Sequence, residues 1–407
     1  MSSMFANARS FNGDISDWNV SSVTDMSSLF WFARSFNQNI GSWDVSSVQD
    51  MSRMFDDAAS YNQPLNSWDV SAVQDMSGMF SRALLFNQDL DSWDVSSVQD
   101  MSGMFSLSRF FNGNISTWDV SSVQDMAFMF SVDNTFNQPL DNWDVSSVQD
   151  MSYMFTHAHA FNQPLDNWDV SSVQDMAFMF SVARSFNQPL NSWNTSSVTT
   201  TEAMFFVAIS FNQDLDSWDV SSVQDMTNMF TDAVSFNGNI STWDVSSVES
   251  FNQMFADAVS FNQPLDNWMP SSAKDMALMF WTAHAFNQPL NSWDVSSVQD
   301  MTYMLRFNYD LDQNLGNWYI VLGDTSVDSG DTLITTITAQ NSFLDWQNPK
   351  YSVAPDGDGD LFFMDGNILR SISGEYTKPY YNITIVATDG FVMHSFRDVT
   401  ITVIQPQ

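Results

Sequence analysis

Large apolar residues return at a fixed interval along the first three quarters of this chain. Trp stands at Trp18, Trp43, Trp68, Trp93, Trp118, Trp143, Trp168, Trp193, Trp218, Trp243, Trp268, Trp293 and Trp318, always 25 residues apart. The stretch 136–160 is a well-formed unit, Phe-Asn-Gln-Pro-Leu-Asp-Asn-Trp-Asp-Val-Ser-Ser-Val-Gln-Asp-Met-Ser-Tyr-Met-Phe-Thr-His-Ala-His-Ala. One such unit cannot offset the entropy of ordering its own backbone, so a period of this length predicts stacked coils that share their burial. About thirteen turns at about 4.8 Å each would make a rod on the order of 60 Å long.

Within the unit, Leu140, Trp143, Val145 and Val148 follow the L-x-x-L-x-L spacing of leucine-rich repeats. Residues 140–145 are expected to form a short strand, with Trp143 and Val145 inward and Asp144 outward. Met151, Met154, Phe155 and Ala158 fall at i, i+3, i+4 and i+7, the spacing of one helical face, which predicts a helix of about two turns. Ser147 and Asp150 stand before it at capping-box spacing. Phe161, Asn162 and Pro164 then turn the chain back. The Asn column from Asn12 through Asn137 and Asn162 to Asn287 is unbroken, and a ladder of side-chain amides satisfying backbone groups at that turn is expected.

After Trp318 the period stops. Residues 332–338, 350–354, 361–364, 380–387 and 399–404 alternate as strands, with turn pairs Asp365-Gly366 and Asp389-Gly390, which predicts a β-sandwich. The expected organisation is therefore a repeat solenoid over 1–318, with short parallel strands and short helices, followed by an all-β sandwich over 319–407. Met4, Phe5, Ala8 and Phe11 already lie on the repeat columns. The chain thus starts in mid-repeat without an N-terminal cap, as expected of a fragment or processed form of a longer protein.

Composition narrows the function classes. Lys+Arg 12 against Asp+Glu 48 gives a formal net charge of −36, which disfavours nucleic acid and anionic membrane surfaces and favours cations or basic partners. An apolar share of 44% is too high for a disordered acidic tail. The absence of Cys excludes disulfides, thiolate metal sites and Cys nucleophiles. No apolar run approaches the roughly 18 residues of a membrane span, and no signal peptide is visible.

The segment pattern Phe-Asn-Gln-Pro-Leu-x-x-Trp-Asp-Val-Ser-Ser-Val-x-x-Met-x-x-Met-Phe closely resembles the BspA-type leucine-rich repeats of surface proteins, including mycoplasma lipoproteins. The resemblance implies surface display, adhesion and binding to a protein or glycan on a cell or matrix, an extracellular location, and no catalytic residue. Gly330-Asp331-Thr332-Leu333, Leu361-Phe362-Phe363-Met364-Asp365 and Ile385-Val386-Ala387-Thr388-Asp389-Gly390 resemble cadherin-like domains. That resemblance maps calcium-binding acids onto Glu375 and Asp389, although Ser373-Gly374-Glu375 lacks the usual preceding Asp and the tail lacks the acidic linker. Asp356, Asp358 and Asp360 have alternate carboxylates that can chelate calcium; a solvated Gly-Asp turn is the other reading.

Two features of the repeats are candidates for ligand contact. The outward Asp column comprises Asp44, Asp69, Asp94, Asp119, Asp144, Asp169, Asp219, Asp244 and Asp294. Carboxylates about 5 Å apart repel by roughly 0.8 kcal/mol even in bulk water, so either each accepts backbone or Ser hydrogen bonds in the next turn, or Ca²⁺ bridges them. Phe128, Tyr153 and Phe178 occupy one outward position in three consecutive turns, and serve either lateral packing or contact with a partner. Trp31, Phe32 and Trp281 are single exposures of the same kind. His157, His159 and His284 are expected as exposed polar positions, with His157 and His159 on different faces of the short helix. No cofactor is required by any of these residues. The sequence points to a non-enzymatic surface protein binding through an acidic solenoid face, or to a structural subunit of a surface appendage assembling end to end through its repeats.

Overall fold

The computed structural model describes residues 1–308 and 311 and, as backbone, seven strands between residues 326 and 404. Successive 25-residue coils stack on one another through backbone hydrogen bonds. In the coil around residues 151–158, the N–H groups of Met151, Tyr153, Phe155 and His157 donate to the carbonyls of Asp175, Ala177, Met179 and Ser181 in the next coil, at 2.8–3.0 Å. The alternating N–H groups of Met154, Thr156 and Ala158 close turns onto Met151, Tyr153 and Phe155. Gln149 reaches the other way, donating its N–H to Gln124 of the preceding coil at 2.8 Å. Parallel bridges join Asp125, Asp150 and Asp175 in register.

This arrangement replaces both elements expected within the repeat. Residues 151–158 form a run of consecutive turns instead of a helix, and residues 140–145 form no strand. Two residues per coil take left-handed backbone, Tyr153 at φ 58° and His157 at φ 57° here, and Phe128, Val132, Phe178 and Val182 at φ 58–61° in the adjoining coils. A left-handed residue every fourth position breaks the helix and turns alternate N–H groups out toward the next coil. For non-glycine residues this costs about 1–2 kcal/mol each. The inter-coil ladder compensates, because the alternative is a row of unpaired N–H and C=O groups against an apolar neighbour.

The inward positions are nevertheless those that the spacing marked. Met151, Met154, Phe155, Ala158, Phe161, Leu165 and Trp168 are all buried, and their counterparts in neighbouring coils join one continuous apolar cluster. The coils from Phe5–Phe11 to Phe280–Phe286 each carry a stacked aromatic pair, as Phe155 on Phe161 at 4.1 Å between ring centroids, and Phe155 lies 5.6 Å from Phe180 in the next coil. The buried Trp indole is satisfied across coils, with Trp168 Nε1 donating to the Leu140 carbonyl at 2.9 Å. The Asn column is a ladder: Asn137 Oδ1 accepts the N–H of Asn162 at 2.9 Å, and Asn162 Oδ1 accepts that of Asn187 at 2.9 Å. Side-chain amides thus take up the backbone N–H groups of the Asn column itself.

Two smaller expectations also change. Serines of the Ser147 column do not cap a helix; Ser172 Oγ donates to the Ser146 carbonyl of the preceding coil at 2.7 Å. His157 and His159 lie on the same side, with ring centroids 5.9 Å apart, because the turn run does not rotate successive side chains as a helix does. His159 Nδ1 lies 3.0 Å from the Val182 carbonyl, so it is a coil-to-coil contact and not a free surface group.

In the C-terminal part the strands are β1 (Ser326–Asp328), β2 (Leu333–Thr336), β3 (Lys350–Val353), β4 (Phe362–Asp365), β5 (Ile368–Ser371), β6 (Tyr380–Thr388) and β7 (Met393–Ile404). They form a four-stranded sheet in the order β1-β7-β6-β3 and a three-stranded sheet in the order β2-β5-β4. β1 runs parallel to β7, and every other pair is antiparallel. Strands β1 and β5 were not among the expected segments.

Candidate functional site

Because residues at the Met151, Met154, Phe155 and Ala158 positions point inward, the Tyr153 column lies on the outer face of the turn run. Phe128, Tyr153 and Phe178 stand there one above another. Their rings stack at 4.4 Å and 6° between Phe128 and Tyr153, and at 4.6 Å and 5° between Tyr153 and Phe178. Phe128 is 42% exposed, and the other two are half-buried. Beside them Ser131, Thr156 and Ser181 are buried small residues that keep the face flat. Burial, and then the charges of Glu202 and Asp175, push the Tyr153 phenol above its ordinary range. The stripe therefore packs laterally between coils and remains open to solvent along its outer edge.

The outward Asp column is exposed throughout, at Asp44, Asp69, Asp94, Asp119, Asp144, Asp169, Asp219, Asp244 and Asp294. Its hydrogen bonds run within the coil and not into the next turn. Asp69 Oδ1 accepts the Ser71 hydroxyl at 2.7 Å and the Ser71 N–H at 3.2 Å, and Asp94 does the same with Ser96 at 2.6 and 3.1 Å. The reason is local: an Asp side chain reaches the N–H two residues on, closing an Asx turn without help from a neighbouring coil. The Ser hydroxyls and N–H groups hold Asp44, Asp69, Asp169, Asp244 and Asp294 below the usual carboxylate range.

A second Asp column, at the positions expected to cap a helix, sits at the bridges. Asp125 and Asp175 each accept the N–H two residues on at 2.8 Å. Burial, with neighbouring carboxylates of the same column adding to it, pushes both upward. Two further acids, Asp56 and Asp57, are buried and ion-paired: Arg82 to Asp56 at 2.8 Å and Arg34 to Asp57 at 2.6 Å. Burial outweighs the Arg82 and Arg53 charges and leaves Asp56 raised. The only sequence signal for this cluster is the concentration of Arg34, Arg53 and Arg82 in a chain with few basic residues.

Asp133 is the most unusual acid. It occupies a core position that neighbouring repeats fill with Ala158, Ala183 or Ser108, and it is completely buried. Its Oδ1 accepts the N–H groups of Thr135 and Phe136 at 3.2 and 3.3 Å, while Oδ2 has no partner. Burial pushes its carboxyl well above the ordinary range.

The calcium candidates Asp356, Asp358, Asp360, Glu375 and Asp389 lie outside the described residues. Among the described residues no group of three or more His or acidic side chains converges as a metal site, and no helix is long and apolar enough to cross a membrane. No curated protein matches the chain. No solved structure matches it either. One family matches three times in tandem, over residues 1–117, 107–218 and 203–318. With the repeats matched from end to end, the chain belongs to the family described as Mycoplasma protein of unknown function, DUF285.

Proposed function

We propose that this protein is a non-enzymatic surface protein, in which a leucine-rich-type solenoid of the BspA kind carries a flat outer face for adhesion or ligand binding and a cadherin-like sandwich follows it. The observation that carries this reading is the Phe128–Tyr153–Phe178 stack. Apolar columns are consumed in the core and the Asn and Trp columns in coil-to-coil bonds, whereas these aromatics keep an exposed edge that the scaffold does not use. Exposed aromatics in a rigid line contribute contact area at small entropic cost on binding. The long Asp-lined side adds a field that favours basic or neutral partners over phosphate-rich ones. The regularity of the repeats argues against an active site, since a catalytic constellation needs residues that do not recur.

The test replaces Phe128, Tyr153 and Phe178 together by Ser and measures adhesion of the whole chain to cells and extracellular matrix, with light scattering to follow self-association. Adhesion should fall by about tenfold or more. Unchanged adhesion and self-association would remove the contact role of this face.

A further inference from the structure

The aromatic stack ends abruptly on one side, and the gap there has the chemistry of a binding site. Along the Tyr153 column, toward the N-terminus, Phe128 is followed by Gly103, Gly78 and then Arg53. Both glycines have φ 59°, but Arg53 at 54° and Phe128 at 60° hold the same backbone, so the conformation does not require glycine. Packing does not require it at Gly103 either. A Cβ placed there would meet only the Ser106 Cβ, at the ordinary contact distance of 3.7 Å. At Gly78 the space is already taken, since the Arg53 stem comes within 3.3 Å of where a Cβ would be. The result is a notch about one coil wide, centred on Gly103, with Arg53 at one end and Phe128 at the other.

Tyr153 covers one face of the Phe128 ring at 4.4 Å. The opposite face looks along the stack toward Gly103, which accounts for Phe128 being the exposed member of the three. Ser106 borders the notch through its Cβ and Ser102 precedes Gly103 in the chain, and among the described residues neither hydroxyl makes a hydrogen bond. Thr156, in the row of Ser106, by contrast spends its hydroxyl on the Phe178 carbonyl at 2.6 Å. Arg53 is 60% exposed and only distantly paired, 3.6 Å from Asp56.

We infer that this notch binds one ring of a neutral glycan, stacked on the open face of Phe128 and hydrogen-bonded by Ser102, Ser106 and Arg53. An aromatic ring face is electron-rich and accepts the polarised C–H face of a pyranose. A coil spacing of about 4.8 Å matches the thickness of one such ring. Free hydroxyls and a guanidinium supply the few directed polar contacts that fix orientation in a binding site. An aromatic side chain would fill the same space but leave those donors without partners. The net charge of −36 weighs against a polyanionic sugar. This inference rests on the proposed binding role of the outer face and names the ligand class for it.

The experiment fills the notch. Gly103→Tyr extends the stack at a position where a Cβ meets only ordinary contact, on the left-handed backbone that Phe128 and Tyr153 already hold, and Gln253→Tyr places the same ring in the same column far away. Full-length protein and both variants are tested against immobilised neutral pyranose oligosaccharides, with N-acetyl-tryptophanamide as an aromatic probe. At least one glycan should be retained by the parent protein, weakened about tenfold or more by Gly103→Tyr, and unaffected by Gln253→Tyr. The inference fails if no glycan binds, if Gly103→Tyr binds as the parent does, or if only the aromatic probe is displaced. If the triple Ser variant loses adhesion while Gly103→Tyr keeps it, the notch is refuted and the wider reading survives; if the triple variant adheres normally, the wider reading falls.

Discussion

Replacing Asp133 by Ala should stabilise the coil that contains it. The wild-type carboxyl is fully buried, with one oxygen unpartnered and the other accepting bonds of 3.2–3.3 Å. An unsatisfied buried polar group of this kind costs about 1–3 kcal/mol. Ala would not strand the two backbone donors: in Ala-containing coils the N–H at the place of Thr135 bonds to the preceding coil, as Ser60 does to the Arg34 carbonyl at 3.2 Å. In Ala-containing coils the equivalent Phe N–H bonds to the Ala carbonyl, as Phe36 does to Ala33 at 2.9 Å and Phe161 to Ala158 at 3.2 Å, so the Phe136 N–H has a ready partner. The net gain near neutral pH is therefore about 1–3 kcal/mol. The pH dependence follows from the direction of the shift. The folded carboxyl titrates well above its unfolded value of 3.8, so between the two values the folded state binds more protons. Wild-type stability accordingly falls as pH rises through that window and is flat above it. The advantage of Asp133→Ala must therefore be smaller at acid pH and grow toward neutrality. Hydrogen exchange of amides in residues 126–136 at pH 5 and pH 8 measures this locally, which suits an array whose unfolding need not be two-state. A destabilised variant at pH 8, or an equal gain at both pH values, would refute the argument.

Other outcomes follow from the coil-to-coil bonds. Asn162→Ala removes the acceptor of the Asn187 N–H and the Gln188 amide, at 2.9 and 3.0 Å, and should cost about 1–3 kcal/mol, read as faster exchange of the Asn187 amide. Val207→Asn relieves a β-branched residue at φ 55° and should stabilise by about 1 kcal/mol, read as a higher denaturation midpoint; a lower one would show that the left-handed positions are unstrained. Each outward Asp is already satisfied by the Ser of its own turn, so the melting temperature should be equal in EDTA and in millimolar Ca²⁺, and a rise of several degrees with calcium would show that the column binds the ion.

Much of the buried interior was legible from spacing alone. Met151, Met154, Phe155 and Ala158 point inward as their i, i+3, i+4, i+7 pattern requires, and the Asn column forms its ladder because an unbroken polar column at a turn has only backbone groups to satisfy. The candidate site was legible as residues but not as geometry. The Phe128 column was visible, yet the notch at Gly103 depends on which ring face its neighbours leave uncovered.

What the sequence by itself determined, then, is the period, the inward and outward sides of each repeat, and the likeness of the repeats to those of mycoplasma proteins. What only the tertiary structure decided is where the backbone hydrogen bonds go. A helix and a run of turns with a left-handed residue every fourth position bury the same side chains, so no pattern of apolar residues separates them. They differ in whether alternate N–H groups bond within the segment or to the next coil. A stacked neighbour offers a full row of carbonyls that an isolated segment lacks, and the chain accepts left-handed backbone at residues such as Tyr153 and His157 to reach them.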